Sequence, residues 1–147
     1  MASGVIRAQR KGPAASLRAV FLLALIPLLA GCLLIAGGQQ SADRAEDGGN
    51  VSVQFVSAEG TEVRQVKAAD VAATLKVTVF ARVERGQLRI EVLDPQGSAQ
   101  IILEGTPEEP VARGTVQTDA DGVLRFRIKA TGAQRGGFQL LYQPATG

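Results

Sequence analysis

The sequence predicts an all-β domain: an antiparallel β-sandwich of about eight strands, jelly-roll or immunoglobulin-like, that follows an N-terminal apolar helix. Three observations support this prediction. Polar and apolar side chains alternate from Val51 onward, Gly- and Asp-rich turns separate the alternating segments, and one long uncharged apolar run precedes them. The chain accordingly divides into residues 1–36 as a signal peptide or membrane anchor, 37–50 as a flexible linker, and 51–147 as the sandwich.

The alternation is clearest in residues 74–84, 87–94 and 123–130, where every second side chain is apolar. This period of two is typical of strands with one buried face and one solvated face. Weaker segments of the same kind are 51–57, 62–66, 98–104, 111–118 and 138–143. The side chains expected to point into the core are Val53, Phe55, Leu75, Val77, Val79, Leu88, Ile90, Val92, Ile101, Leu103, Leu124, Phe126, Ile128, Phe138, Leu140 and Tyr142.

Turn residues separate the predicted strands. Asp94-Pro95-Gln96-Gly97 has the residues that a type I turn favours. Asp119-Ala120-Asp121-Gly122 predicts a hairpin loop in which Gly122 supplies a positive φ, and Arg85-Gly86 predicts a tight link between two strands. The spacing of Asp119, Asp121 and Gly122 also resembles part of a calcium loop. The closing carboxylate is missing, so we interpret the segment as a turn and predict no metal or other cofactor.

The composition disfavours several function classes. Four cations precede the apolar run, and the residues after it carry 12 Lys and Arg against 14 Asp and Glu. The part expected to fold is therefore slightly acidic, which argues against a nucleic-acid partner. The chain has no His, no Trp and one Cys. The commonest general base is thus missing, an internal disulfide is ruled out, and we predict no catalytic residues and no enzyme activity.

The apolar run covers residues 19–36 and follows Arg7, Arg10, Lys11 and Arg18. As a helix it would span roughly 27 Å, close to the ~30 Å hydrocarbon thickness of a bilayer. Read only as far as Cys32, the same stretch has the basic, apolar and small-residue regions of a secretory signal. Because basic flanks stay in the cytoplasm, we expect the C-terminal part to lie outside it, at the cell membrane.

Leu29-Ala30-Gly31-Cys32 resembles the lipobox of bacterial lipoproteins. The resemblance implies cleavage between Gly31 and Cys32 and attachment of a diacylglyceryl group to the Cys32 thiol, an anchor held by the acyl chains. One feature departs from the family pattern, because Leu33-Leu34-Ile35-Ala36 continues apolar where such proteins normally become polar. That continuation suits an uncleaved single-span anchor. A third alternative is conventional cleavage near Ala36-Gly37-Gly38.

A second resemblance concerns the C-terminal half. The segments GQLRIEVLDPQG, DADGVLRFRIKA and RGGFQLLY are similar to the small sandwich modules appended to secreted bacterial proteins, such as pre-peptidase C-terminal domains. In those families the module is accessory, and the resemblance implies a role in binding, anchoring or secretion.

Two features mark a possible partner surface. Arg125, Arg127 and Lys129 project from one strand face at about 7 Å intervals, where they could meet lipid phosphates or an acidic partner. A charged face that prevents edge-to-edge pairing of sheets is the commoner explanation of such a ladder. Phe80 lies on the polar face of its strand, which indicates either a partner patch or a ring covered by a neighbouring loop.

These observations predict a non-catalytic binding or structural protein of the cell envelope. Its expected partners are the membrane and either a protein or a cell-wall polymer. One alternative is an extracytoplasmic hydrolase that uses loop carboxylates, for which two facing acids would be needed. Another is a small accessory subunit of a membrane complex, in which the apolar segment itself makes the contacts. The loop acids available to a hydrolase are Glu104, Glu108, Glu109, Asp119 and Asp121.

Overall fold

A computed structural model describes residues 32–145, and this part of the chain forms seven β-strands and no helix. The strands are β1 (Leu34–Ala36), β2 (Gln39–Ala45), β3 (Gly48–Lys67), β4 (Thr74–Leu93), β5 (Ala99–Glu104), β6 (Val111–Gln117) and β7 (Val123–Pro144). Every paired strand runs antiparallel to its neighbour, which confirms the predicted all-β antiparallel class. Within residues 32–145, no helix has the length and apolarity needed to cross a membrane. Most of the expected apolar helix, residues 19–31, lies outside the described residues.

Three long strands organise the sheet. β7 lies at its centre and pairs with β3 on one side and β4 on the other over nearly its whole length. One end of this three-stranded ribbon is flanked by β2 and β6, and we call it the front half-sheet. The other end is flanked by β5 and is called the back half-sheet, while β1 pairs with β3 between the two ends.

A row of glycines bends the ribbon between the two half-sheets. Gly60, Gly86 and Gly132 all have positive φ, on β3, β4 and β7 respectively, and the register of both strand pairs shifts at this level. A Cβ atom at Gly86 would overlap the carbonyl oxygen of Gly132, so the two backbones approach as closely as they do only because Gly86 has no side chain. The backbone N–H of Gly132 donates to the Glu59 carboxylate across the bend. We call this row the glycine bend.

The bend folds the two half-sheets onto a common core. Phe126 and Phe138 lie 12 positions apart on β7, which would separate them by about 40 Å along a straight strand. Their ring centroids are instead 5.9 Å apart, in an edge-to-face arrangement. The two ends of one strand therefore face each other, and the predicted β-sandwich is confirmed. All sixteen side chains expected to point inward are buried in one cluster.

The strand count differs from the prediction for a physical reason. The segments 51–57 and 62–66 are two halves of β3, and β4 and β7 likewise join two predicted strands each. Arg85-Gly86 is thus a bulge inside β4 and not a tight link. A bulge interrupts the alternation of side chains without ending the backbone ladder, so the pattern looked like a strand end.

The two predicted turns have different outcomes. Asp94–Gly97 closes the hairpin between β4 and β5, with Gly97 at φ 85° and the Gly97 N–H donating to the Asp94 carbonyl at 3.0 Å. Asp119–Gly122 is a turn with Gly122 at φ 73°, as predicted. The hairpin assignment was wrong there, because β6 pairs with β4 and the chain crosses from the front half-sheet to the back one.

The largest correction concerns residues 33–50. Gln39–Ala45, expected to be part of a flexible linker, forms β2 and pairs with Gly48–Gln54 through a turn at Glu46-Asp47. All of its side chains are exposed, so composition gave no signal; the strand is held by its backbone ladder to β3 and by contacts such as Arg64 to Gln40, at 3.0 Å. Leu34–Ala36, assigned to the anchor, forms β1. The sandwich therefore begins well before the expected boundary at Val51.

Candidate binding face

The predicted basic ladder lies on the outer face of the back half-sheet, and its cations are engaged in ion pairs. Arg127 Nη1 lies 2.7 Å from Glu91 Oε2, and Lys129 Nζ lies 2.9 Å from Glu91 Oε1. Arg125 Nη2 lies 3.2 Å from Asp119 Oδ2. As a partner surface the ladder stays a prediction. Glu91 on β4 and Asp119 in the preceding turn balance part of its charge, so this face is less cationic than the sequence of β7 alone indicates.

Glu91 is the centre of this ion-pair network and is only 3% exposed. Its third partner is Arg89, whose Nε lies 2.7 Å from Oε1 and whose Nη1 also bonds Glu104 at 2.7 Å. Burial of the carboxylate opposes its ionisation, but the hydrogen bonds from Lys129, Arg89 and Arg127 outweigh burial and lower the pKa of Glu91 to about 2. The sequence alone did not identify Glu91, because two of its three partners, Arg127 and Lys129, lie 36 and 38 positions further along the chain, on β7.

Phe80 lies on the front half-sheet, away from the basic ladder on the back half-sheet. It sits on the outer face of the front half-sheet, half-buried between its register partners Val111 on β6 and Gln139 on β7. Leu141 lies two residues further along β7 and points to the same side, where it is 37% exposed. The three apolar side chains form a short stripe on an otherwise polar face.

Next to this stripe lies an open groove of about 580 Å³. Gly136 and Gly137 form its floor, because two consecutive glycines leave the middle of the sheet without side chains. Ser52 and Gln54 from β3 and Gln139 from β7 supply its uncharged hydrogen-bonding groups. Gln139 Nε2 donates to Asn50 Oδ1 at 3.0 Å, which fixes the orientation of that amide.

Charged groups line one end of the groove. Glu84 lies 3.7 Å from both Arg82 Nη2 and Arg135 Nη1. Glu109 reaches the same end from the loop between β5 and β6. The groove thus offers neutral donors and acceptors along its length and a small mixed-charge cluster at one end.

The loop acids proposed for hydrolysis are spread over the molecule. Glu108 and Glu109 precede β6, whereas Asp119 and Asp121 follow it, and the seven residues of β6 separate the two loops by about 20 Å. Asp119 is used by its own turn, where Oδ1 accepts from the backbone N–H of Asp121 at 3.0 Å and of Val123 at 2.9 Å. This confirms the turn interpretation. Among residues 32–145, no group of three or more His, Cys, Asp or Glu is arranged to hold a metal ion.

Tyr142 carries an unusual polar group in the core. It is 3% exposed, and within the described part of the chain its hydroxyl has no hydrogen-bond partner. The ring lies against Gly49, where a Cβ atom would overlap the hydroxyl. Burial raises the pKa of Tyr142, and the nearby Arg44 charge only partly opposes this shift.

The Tyr142→Phe variant is expected to be more stable than the natural protein. Leaving a buried hydroxyl without a partner costs about 1 kcal/mol or more, and Phe keeps the shape of the ring without that group. Urea unfolding followed by circular dichroism measures the change. A loss of stability instead would mean that a water molecule or another group satisfies the hydroxyl.

Cys32 is exposed and lies at the start of the described residues. Its backbone passes directly over the glycine bend, since a Cβ atom on Gly60 would overlap the Cys32 carbonyl oxygen. Gly31, the other residue of the predicted cleavage site, lies outside the described residues. Lipidation and cleavage at this position stay predictions.

Comparison with known proteins gives likenesses of fold only. No family model and no curated protein matches the chain. Among solved structures, a family 4 carbohydrate-binding module (CBM4) is 10% identical, with 75% of this chain and 79% of that chain covered and a TM-score of 0.37. The CBM22-1 xylan-binding domain of Paenibacillus barcinonensis Xyn10C is 9% identical, with 78% and 86% covered and a TM-score of 0.40. The carbohydrate-binding module CBM6cm-2 of Cellvibrio mixtus lichenase 5A, solved with cellotriose, is 17% identical, with 79% and 98% covered and a TM-score of 0.38.

Proposed function

We propose that this chain is a lipid-anchored, non-catalytic binding protein of the bacterial cell envelope, with its β-sandwich outside the cytoplasm. In this proposal Cys32 carries the lipid after cleavage behind Gly31. The open groove on the front half-sheet binds the partner, which is a cell-wall polymer or a protein with exposed hydroxyl and amide groups.

The position of Leu33–Ala36 is the observation that carries the proposal. Leu33 and Ile35 pack against the sandwich core, and Leu34–Ala36 pairs with β3. Packing in the folded domain therefore accounts for the apolar character of Leu33 and Ile35, which supports a cleaved leader over an uncleaved span. The apolar run left for a leader is the 13 residues 19–31. As a helix it would be about 20 Å long, short for a bilayer of ~30 Å but within the usual length of a signal-peptide core.

The groove supports the choice of ligand class. The donors and acceptors of Ser52, Gln54 and Gln139 are neutral, so they suit a ligand that presents hydroxyl or amide groups. A strongly charged ligand would find only the mixed cluster around Glu84, where positive and negative groups already neutralise each other.

The Cys32→Ser variant tests the anchor. Without the thiol no lipid can be attached, so we expect the protein to lose its partition into the detergent phase of a Triton X-114 extract. Val71→Ser is the matched control, because it removes an apolar side chain that is 69% exposed and lies away from Cys32. Retention of Cys32→Ser in the membrane fraction at the natural level would contradict the proposal and favour a spanning segment.

Substitutions in the groove test the binding face. The double variant Gln54→Ala and Gln139→Ala should bind insoluble cell-wall material at least about fivefold more weakly, because each lost hydrogen bond contributes about 1 kcal/mol. Gln65→Ala, an exposed amide on the back half-sheet, is the control and should bind normally. The measurement is a sedimentation assay with the detergent-extracted, full protein. Equal binding by the three proteins would exclude the groove.

A further inference from the structure

The point of lipid attachment lies against the folded domain, with no flexible segment between them. β1 begins two residues after Cys32, and β2 follows after Gly37 and Gly38. The Cys32 backbone itself lies on Gly60, at the glycine bend. This inference rests on the proposed anchor. If Cys32 carries the lipid, the acyl chains start within a few ångströms of the bend, so no flexible tether separates the sandwich from the membrane surface.

The surface around this point combines exposed apolar side chains with cations. Leu34 on β1 and Val56 on β3 are each 60% exposed, among the most exposed large apolar residues in the described part of the chain. Arg85 precedes Gly86 at the bend and is exposed, and Arg135, whose side chain is 77% exposed, makes only a long 3.7 Å contact with Glu84. Of the nearby acids, Glu59 accepts a backbone hydrogen bond from Gly132.

We propose that this bend surface, defined by Leu34, Val56, Arg85 and Arg135, docks on the headgroup region of the lipid bilayer. Exposed aliphatic side chains partition into the interface between headgroups and acyl chains, and guanidinium groups pair with lipid phosphates. Each contact is weak. The covalent anchor holds the surface at high effective concentration beside the membrane, so weak contacts are sufficient to fix its orientation.

Docking at the bend sets the direction of the whole sandwich. The opposite end carries the turns Asp94–Gly97 and Asp119–Gly122, which would point away from the membrane. The eight residues from Val123 to Ala130 alone place that end about 27 Å beyond the bend. The charged end of the groove adjoins the bend, since Val56 and Arg135 also line the groove. A bound polymer would therefore be held close to the membrane surface.

Depth measurements on the lipidated protein test this orientation. With Cys32 blocked by its lipid, Thr131→Cys at the bend or Ala120→Cys at the far end provides one free thiol for a fluorophore. The two proteins are reconstituted into vesicles of phosphatidylethanolamine and phosphatidylglycerol that contain a headgroup-labelled quencher lipid. We expect quenching of the label at position 131 to exceed that at position 120 by at least about fivefold, given the strand length between them.

Two further variants, each combined with Thr131→Cys, separate docking from mere tethering. Leu34→Ser with Val56→Ser should reduce the quenching at position 131 at least threefold, while Val71→Ser should not change it. A flexible Gly-Ser insertion of about ten residues after Cys32 should leave the label at position 131 more strongly quenched than the label at position 120, because a docking surface still binds from a longer tether, whereas orientation imposed by a short tether alone would be lost.

Equal quenching of the two labels without the insertion would overturn the docking surface and leave the lipid anchor intact, since intact mass reports the anchor separately. The docking surface would also be overturned if the label at position 131 were shielded more than the label at position 120 in native membranes but not in lipid vesicles. The bend surface would then bind a membrane protein and not lipid. Stable association of the protein with the vesicles when Cys32 carries no lipid would overturn the proposed anchor itself.

Discussion

Replacing Glu91 with Gln is expected to lower the free energy of unfolding by about 3 kcal/mol at neutral pH. The carboxylate is almost fully buried and bonds Arg89, Arg127 and Lys129. An amide of the same shape keeps the packing but removes the negative charge that these three cations share. The cations themselves are 30% to 43% exposed and can turn to solvent. The loss should therefore stay below the larger cost of a fully buried unpaired charge.

The same interaction predicts an acid transition. The pKa of Glu91 is about 2 in the folded chain, against an ordinary value of 4.5. A depressed folded-state pKa means that the stabilisation is complete above pH 4.5 and is lost as the pH falls from 4.5 towards 2. Urea unfolding at several pH values should show this loss in the natural protein and a weaker pH dependence over the same range in Glu91→Gln.

Glu104→Gln is the matched control for this prediction. Glu104 bonds the same arginine at the same 2.7 Å, but its side chain is 56% exposed. An exposed ion pair contributes at most about 1 kcal/mol, so the control should change little. If both variants lose the same stability, the burial of Glu91 is not what makes its network strong.

Gly86→Ala is expected to lower the free energy of unfolding by about 3 kcal/mol, the second large effect. Gly86 has φ 78°, a conformation that costs an L side chain about 1–2 kcal/mol. The added Cβ would also overlap the Gly132 carbonyl oxygen, which is backbone and cannot move aside without shifting β7. Thermal unfolding followed by circular dichroism measures the loss.

Gly97→Ala separates the two causes. Gly97 has nearly the same φ, 85°, but a Cβ there would meet no atom within 4 Å. Its substitution should cost only the conformational part, about 1 kcal/mol. The excess loss in Gly86→Ala then measures how closely β4 and β7 approach at the bend. Equal losses would show that the bend tolerates a side chain.

The sequence predicted the inward face of every long strand, because the alternation of side chains reports burial directly. Phe126 and Phe138 were both assigned to the core from this pattern, and both are buried. The glycine bend was not predictable as a bend. Gly86 ends a run of alternation, and a turn and a bulge have the same local signal. Only the pairing of β7 along both neighbours shows that the strands continue through it.

The sequence predicted the strands β1 and β2 and the polar side-chain contacts least well. β2 buries none of its side chains, so nothing in its composition distinguishes it from a linker. Leu33 and Ile35 were assigned to the apolar run that precedes them, although both side chains pack against the sandwich core at the start of the folded domain. Arg127 and Lys129 were correctly placed on one face, but the acid between them comes from another strand. Such partners depend on sheet register, which a local pattern does not contain.

The intact mass of the protein extracted from bacterial membranes tests the lipid anchor most directly. Because Leu34–Ala36 is part of the sandwich, we expect loss of residues 1–31 and a chain that begins at Cys32 and carries a diacylglyceryl increment. An unmodified full-length mass would contradict it, since the leader would then span the membrane with its thiol free.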